Sequence, residues 1–193
     1  MAHHKVLTRR GFIAGSAVLG LAACNNGTST NATQVLDGRV NGTLNELYTK
    51  YPNARPLVEN AHGVLIIPVM TQAGFGFGGS YGEGALRIGG KTVDYYSATQ
   101  ASFGFQAGAR QYAQVVVFQT ERALSEFRSA AGWVAGAGAF YALPAEGLSV
   151  GTDSVTRNHP VVAMIFGETG IMAGATIEST KYTRIIPSKL GVR

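Results

Sequence analysis

Long apolar runs and glycine-spaced aromatic positions dominate the hydrophobic pattern of this chain. Val64-Leu65-Ile66-Ile67-Pro68-Val69-Met70 predicts a buried strand. Pro68 has no N–H for a ladder bond and so marks an edge or a bulge. Gln114-Val115-Val116-Val117-Phe118 and Val161-Val162-Ala163-Met164-Ile165-Phe166 also read as strands. Gly74-Phe75-Gly76-Phe77-Gly78-Gly79-Ser80-Tyr81-Gly82-Glu83-Gly84 alternates glycine with rings. One face of such a strand carries the rings and the other is nearly bare backbone, so a neighbour can approach closely or the sheet can curl. Ala85 to Ile88 and Thr92 to Tyr96 predict a hairpin about Gly89-Gly90-Lys91. Leu148 to Val150, Gly170 to Ile177 and Lys181 to Ile186 are further short strand candidates. Ala98 to Gln106 has no clear period, and Trp133 to Tyr141 reads as a strand or a loose apolar segment.

Helical spacing appears in three places. Val40, Leu44, Leu47 and Tyr48 share a face, Thr43 and Glu46 have capping-box spacing, and Pro52 ends the run. Arg55 to Ala61 predicts a short helix with Leu57, Val58 and Ala61 inward. Glu121 to Ala130 predicts a helix capped by Thr120 and buried through Leu124, Phe127 and Ala131. The expected fold is α+β: short N-terminal helices packed on a strongly curved or barrel-like antiparallel sheet, with one further helix near 121–130.

The amino end has a different logic. Lys5, Arg9 and Arg10 precede a short apolar run, Phe12 to Leu21, and then Ala22-Ala23-Cys24. This is the layout of an export signal, too short to span a bilayer. Leu21-Ala22-Ala23-Cys24 resembles the lipobox of bacterial lipoproteins, which implies cleavage after residue 23 and lipidation of Cys24 by several acyl chains. Thr8-Arg9-Arg10-Gly11-Phe12-Ile13 resembles a twin-arginine motif, with an ordinary secretion signal as the alternative. Asn25, rather than aspartate, implies by the same analogy an outer-membrane anchor facing the periplasm. The expected organisation is a signal at 1–23, a flexible tether at 24–37 built from the small polar stretch after Cys24, and one domain at 38–193.

Composition narrows the function. The formal charge is +5, but loss of Lys5, Arg9 and Arg10 would leave the rest almost neutral. No basic run with interleaved aromatics points to nucleic acid. Glycine makes up 26 of 193 residues, about twice the roughly 7% of an average chain. Cys24 is the sole cysteine, so no internal disulfide forms.

Catalytic constellations are sparse. His62 and His159 lack metal-ligand spacing, and no metal site or cofactor is expected. Gly74-x-Gly76-x-x-Gly79 has dinucleotide-fingerprint spacing without a helix opening behind it. Glu83, Asp94, Glu168 and Glu178 could pair only if the fold brought two together. Ser97, Ser102 and Ser154 lack a nucleophile-elbow context.

Ala61-His62-Gly63-Val64-Leu65-Ile66-Ile67-Pro68 and the Gly74 to Gly84 segment resemble the opening of the SYLF domain, also called the Ysc84 domain. Ser102 to Ala109 and Gly167 to Glu178 continue the resemblance, which spans about Val40 to Ile186. Ser179 departs from it, standing where the family has glycine. The resemblance implies membrane and phosphoinositide binding, in some members actin-bundle binding, and lipidated bacterial members. From it follows the expectation of a non-enzymatic envelope lipoprotein with a phospholipid-binding domain and possible envelope-protein partners. Phe75, Phe77 and Tyr81 would line an apolar groove, with Lys91, Arg110 and Lys181 as headgroup cations. The alternatives are a structural or protein-interaction module with no lipid site beyond its anchor, and a hydrolase with a carboxylate pair.

Overall fold

The computed structural model describes residues 28–134, 139–142, 159–173 and 180–186. The signal-like segment, Cys24, the strand candidate at 148–150, Ser154 and Glu178 lie outside them. The elements are α1 (Thr28–Lys50), a 3-10 turn (Pro52–Ala54), α2 (Arg55–Glu59), β1 (Gly63–Ile88), β2 (Lys91–Phe118), α3 (Glu121–Ser129), β3 (Trp133–Val134), β4 (Ala139–Ala142), β5 (Val161–Ala173) and β6 (Lys181–Ile185).

One sheet organises them. β1 and β2 form a very long antiparallel hairpin. Its two-residue turn is Gly89-Gly90, both at positive φ (57° and 78°), the backbone that a right-twisted hairpin demands. The opposite edge of β2 is shared: β6 pairs with Tyr95–Thr99 and β5 with Ala107–Phe118, both antiparallel. β3 extends β6 and β4 lies parallel to β5. The fold is thus the expected α+β arrangement of helices on a strongly curved, half-barrel, mainly antiparallel sheet. The separate short strands expected between residues 64 and 118 are continuous stretches of β1 and β2.

The apolar runs are unbroken because both faces of the sheet are covered. Leu65, Ile67, Val116, Phe118, Val161 and Ala163 face inward to α3 with Leu124 and Phe127. Val64, Ile66, Val115, Val117, Val162 and Met164 face outward to Val40 and Leu47 of α1 and to Leu57 and Val58 of α2. Phe127 anchors the inner core, its ring 4.6 Å from Tyr96 and 4.7 Å from Phe118.

Curvature comes from bulges and bare backbone. The β1–β2 register slips between Ile67 and Met70, around Pro68, and again between Phe75 and Phe77 and between Leu86 and Arg87; such slips bend strands. The two ends of β1 then meet across the inner face. A Cβ on Gly82 would lie 2.6 Å from Met70 Sδ and from the Val69 carbonyl oxygen, and one on Gly84 would run into the Ile66 carbonyl. Only glycine allows that approach.

Two helical expectations are corrected. The stretch assigned to a tether at 24–37 is helical from Thr28 onward. Ala32, Leu36, Val40, Thr43 and Leu47 form its buried stripe, and packing of that stripe offsets the poor helix propensity of its asparagines, threonines and glycines. The folded unit therefore begins ahead of residue 38. Thr43 lies mid-helix rather than at a cap, and its hydroxyl donates to the Arg39 carbonyl at 2.9 Å. The helix at Glu121 starts as expected, with Thr120 Oγ1 accepting from the Ala123 N–H at 3.2 Å.

Candidate interaction surface

Strand alternation decides where each candidate residue points. After the bulge at Pro68, Met70, Gln72, Ser80 and Leu86 lie on the inner face, and Phe75, Phe77, Tyr81 and Ala85 on the outer one. α1 and α2 cover the outer face over Val64, Ile66 and Ala85 but not over the rings. Phe75 is 83% exposed, Phe77 74% and Tyr81 47%. These rings stand on the convex side of the sheet, because the curl turns the glycine face inward and the ring face out.

The register sets the surroundings of these rings. Tyr81 pairs with Thr99, which pairs in turn with Lys181, whose other neighbour is the exposed Val134. Cross-strand neighbours lie about 5 Å apart, so Tyr81, Thr99, Lys181 and Val134 form one row. Tyr81 OH donates to Glu83 Oε1 at 2.6 Å. Burial, then that hydrogen bond and the charge of Glu83, push the Tyr81 phenol up to about 12. Glu83 is buried, and its Oε2 has no hydrogen-bond partner among the described residues. The Tyr-x-Glu spacing on an alternating strand was the available signal for this pair.

The three candidate cations do not form a cluster. Lys91 begins β2 at the hairpin turn, Lys181 sits against Thr99, and Arg110 pairs opposite Gln72 on the inner face. Arg110 Nε donates to Gln72 Oε1 at 2.9 Å, and its guanidinium lies 5.4 Å from the Tyr112 ring centre. Arg110 is thus on the opposite face from the rings. Lys181, by contrast, lies in the same row as Tyr81.

Other candidates are also separated. Glu83 lies on the outer face, whereas Asp94 pairs with Leu86 on the inner face and is ion-paired with Arg184 at 3.4 Å and Arg128 at 3.5 Å. The Gly74-x-Gly76-x-x-Gly79 spacing falls inside β1, not at a strand-to-helix turn. Ser97 donates to the Thr183 carbonyl. His62 is exposed just before β1, and its backbone N–H donates to the Phe118 carbonyl. The His159 carbonyl accepts from Gln119. Among the described residues no group of His, Cys, Asp or Glu is placed to hold a metal ion, and no helix is long and apolar enough to cross a membrane.

Residues 99–185 match the Ysc84 family model, described as a Las17-binding protein actin regulator. The chain is similar to that family over this stretch, which begins midway along β2 and ends with β6. No curated protein matches the chain. The matched description is one of binding and regulation and names no catalytic activity.

The same match overturns a linked set of expectations. An envelope lipoprotein with a phospholipid-binding domain, exported by the twin-arginine route and anchored at the outer membrane facing the periplasm, gives way to a protein-interaction reading. Envelope proteins find no support as partners.

Proposed function

We propose that this chain is a non-enzymatic protein-interaction module that docks a protein of the actin-assembly machinery on the convex aromatic face of β1. The carrying observation is the exposure of Phe75, Phe77 and Tyr81 together on one face. Single exposed apolar residues are ordinary, but adjacent large rings on a curved, well-packed support mark a contact surface. Aromatic residues also supply large contact area at small entropic cost. The partner class follows from the match over residues 99–185, whose strand is hydrogen-bonded to the ring-bearing one. The packed inner face, where Gly82 meets Met70, gives the rings a firm base.

Site-directed photocrosslinking tests this reading. A photoreactive side chain at position 77, in the full chain mixed with purified actin filaments, is expected to capture actin. The same group at exposed position 122 on α3 is expected not to. Equal capture from both positions, or none from 77, would overturn the proposal.

A further inference from the structure

A second feature lies away from the rings, where α1, α2 and the tip of the β1–β2 hairpin meet. They enclose a cleft of about 220 Å³. Its walls are apolar, formed by Leu44, Val58, Val64 and Ile66. An apolar cavity of about 150 Å³ already admits a benzene-sized molecule, so a phenyl or six-carbon body fits here.

Arg87 gives the cleft its chemistry. Its side chain lines the space, and its Nε is buried with no hydrogen-bond partner among the described residues. Leaving a charged donor buried and unmatched is costly. The other charge on the wall, Glu59, is engaged by Arg55 at 3.1 Å. The Arg55 guanidinium lies 4.2 Å from the ring centre of Tyr48, a further wall residue. Glu59 is thus already paired, and the buried Arg87 Nε–H is left for an acceptor inside the cleft. An N–H edge of guanidinium offers two parallel donors, which matches a carboxylate.

We infer that this cleft binds a small organic carboxylate with an apolar body, the body against Leu44, Val58 and Ile66 and the carboxylate on Arg87. Gly89 and Gly90 stand at the mouth, so their amides report occupancy. The site is independent of the aromatic surface and of the partner proposed for it.

Titration of the full chain with 3-phenylpropionate, followed by amide chemical shifts, tests the inference, with 3-phenylpropanol as the uncharged control. The acid is expected to shift the Gly89 and Gly90 amides and to bind at least about tenfold tighter than the alcohol, as loss of a charge-assisted pair implies. Arg87→Gln is expected to abolish that preference. Equal affinities for acid and alcohol, shifts that spare Gly89 and Gly90, or an Arg87→Gln variant that keeps the preference would overturn it. The wild-type comparison decides the matter even if the variant does not fold.

Discussion

Gly84 shows how much of this fold rests on single residues. Its α-carbon faces the Ile66 carbonyl across the curled sheet with no room for a methyl group. Gly84→Ala is expected to destabilise the protein by about 1–3 kcal/mol or more, as overpacking does, and denaturant unfolding checks it. Gly90, where an added Cβ would meet open space but φ is +78°, depends on glycine for its backbone alone. Tyr81 makes a prediction about pH. Its phenol holds its proton more tightly in the folded chain, at about 12, than in the unfolded one, near 10. The resulting stabilisation is fully present below about pH 10 and is lost as pH rises towards 12. Tyr81→Phe should lose less stability than the wild type between those values in denaturant titrations; identical pH profiles would refute the assignment. The alternation of rings and glycines, and so this division into a ring face and a bare face, was legible in the sequence. Which face turned outward was not, because the bulge at Pro68 swaps the parity of β1: Ile66 is outer and Met70 inner.

At the scale of elements, the helices differ in how far their own sequence specifies them. α3 carries a cap, an acidic first turn at Glu121, a basic last turn at Arg128 and a buried stripe. It was legible because local signals and packing agree. Thr120→Ala should cost about 1 kcal/mol, measured as a shift in the unfolding midpoint. Phe127→Ala, which removes a fully buried ring touching Tyr96 and Phe118, should cost about 3–5 kcal/mol. The first turns of α1 were not legible. Asn31, Thr33, Gln34 and Gly38 interrupt the stripe of Ala32 and Leu36, and only contact with the sheet makes the stripe apparent. Asp37, inside this part of α1, accepts from Thr92 at 2.9 Å and Tyr95 at 3.0 Å. Leu36→Asp should therefore release the amino half of α1, seen as faster amide exchange over residues 31–38 while α3 stays protected.

Across the whole molecule, one long hairpin does most of the organising, and its curl presents aromatic side chains while hiding glycine backbone. The candidate cations could be named from sequence, but their dispersal over β2 and β6 and across two faces could not, since it depends on register and bulges rather than spacing. Arg87 escaped sequence reading for the same reason: nothing in Leu86-Arg87-Ile88 tells that α1 and α2 will wall it in. The central claim, that the convex rings are the docking surface for an actin-machinery partner, is tested most directly by replacing Phe75 and Phe77 together. Both are exposed, so Phe75→Ser with Phe77→Ser should leave the thermal unfolding midpoint nearly unchanged, as surface substitutions do. In co-sedimentation with actin filaments, the account predicts binding by the wild type and a loss of at least about tenfold in affinity for the double variant, the scale expected when central aromatic anchors are removed. Equal sedimentation of a folded double variant, or no binding by the wild type, would contradict it.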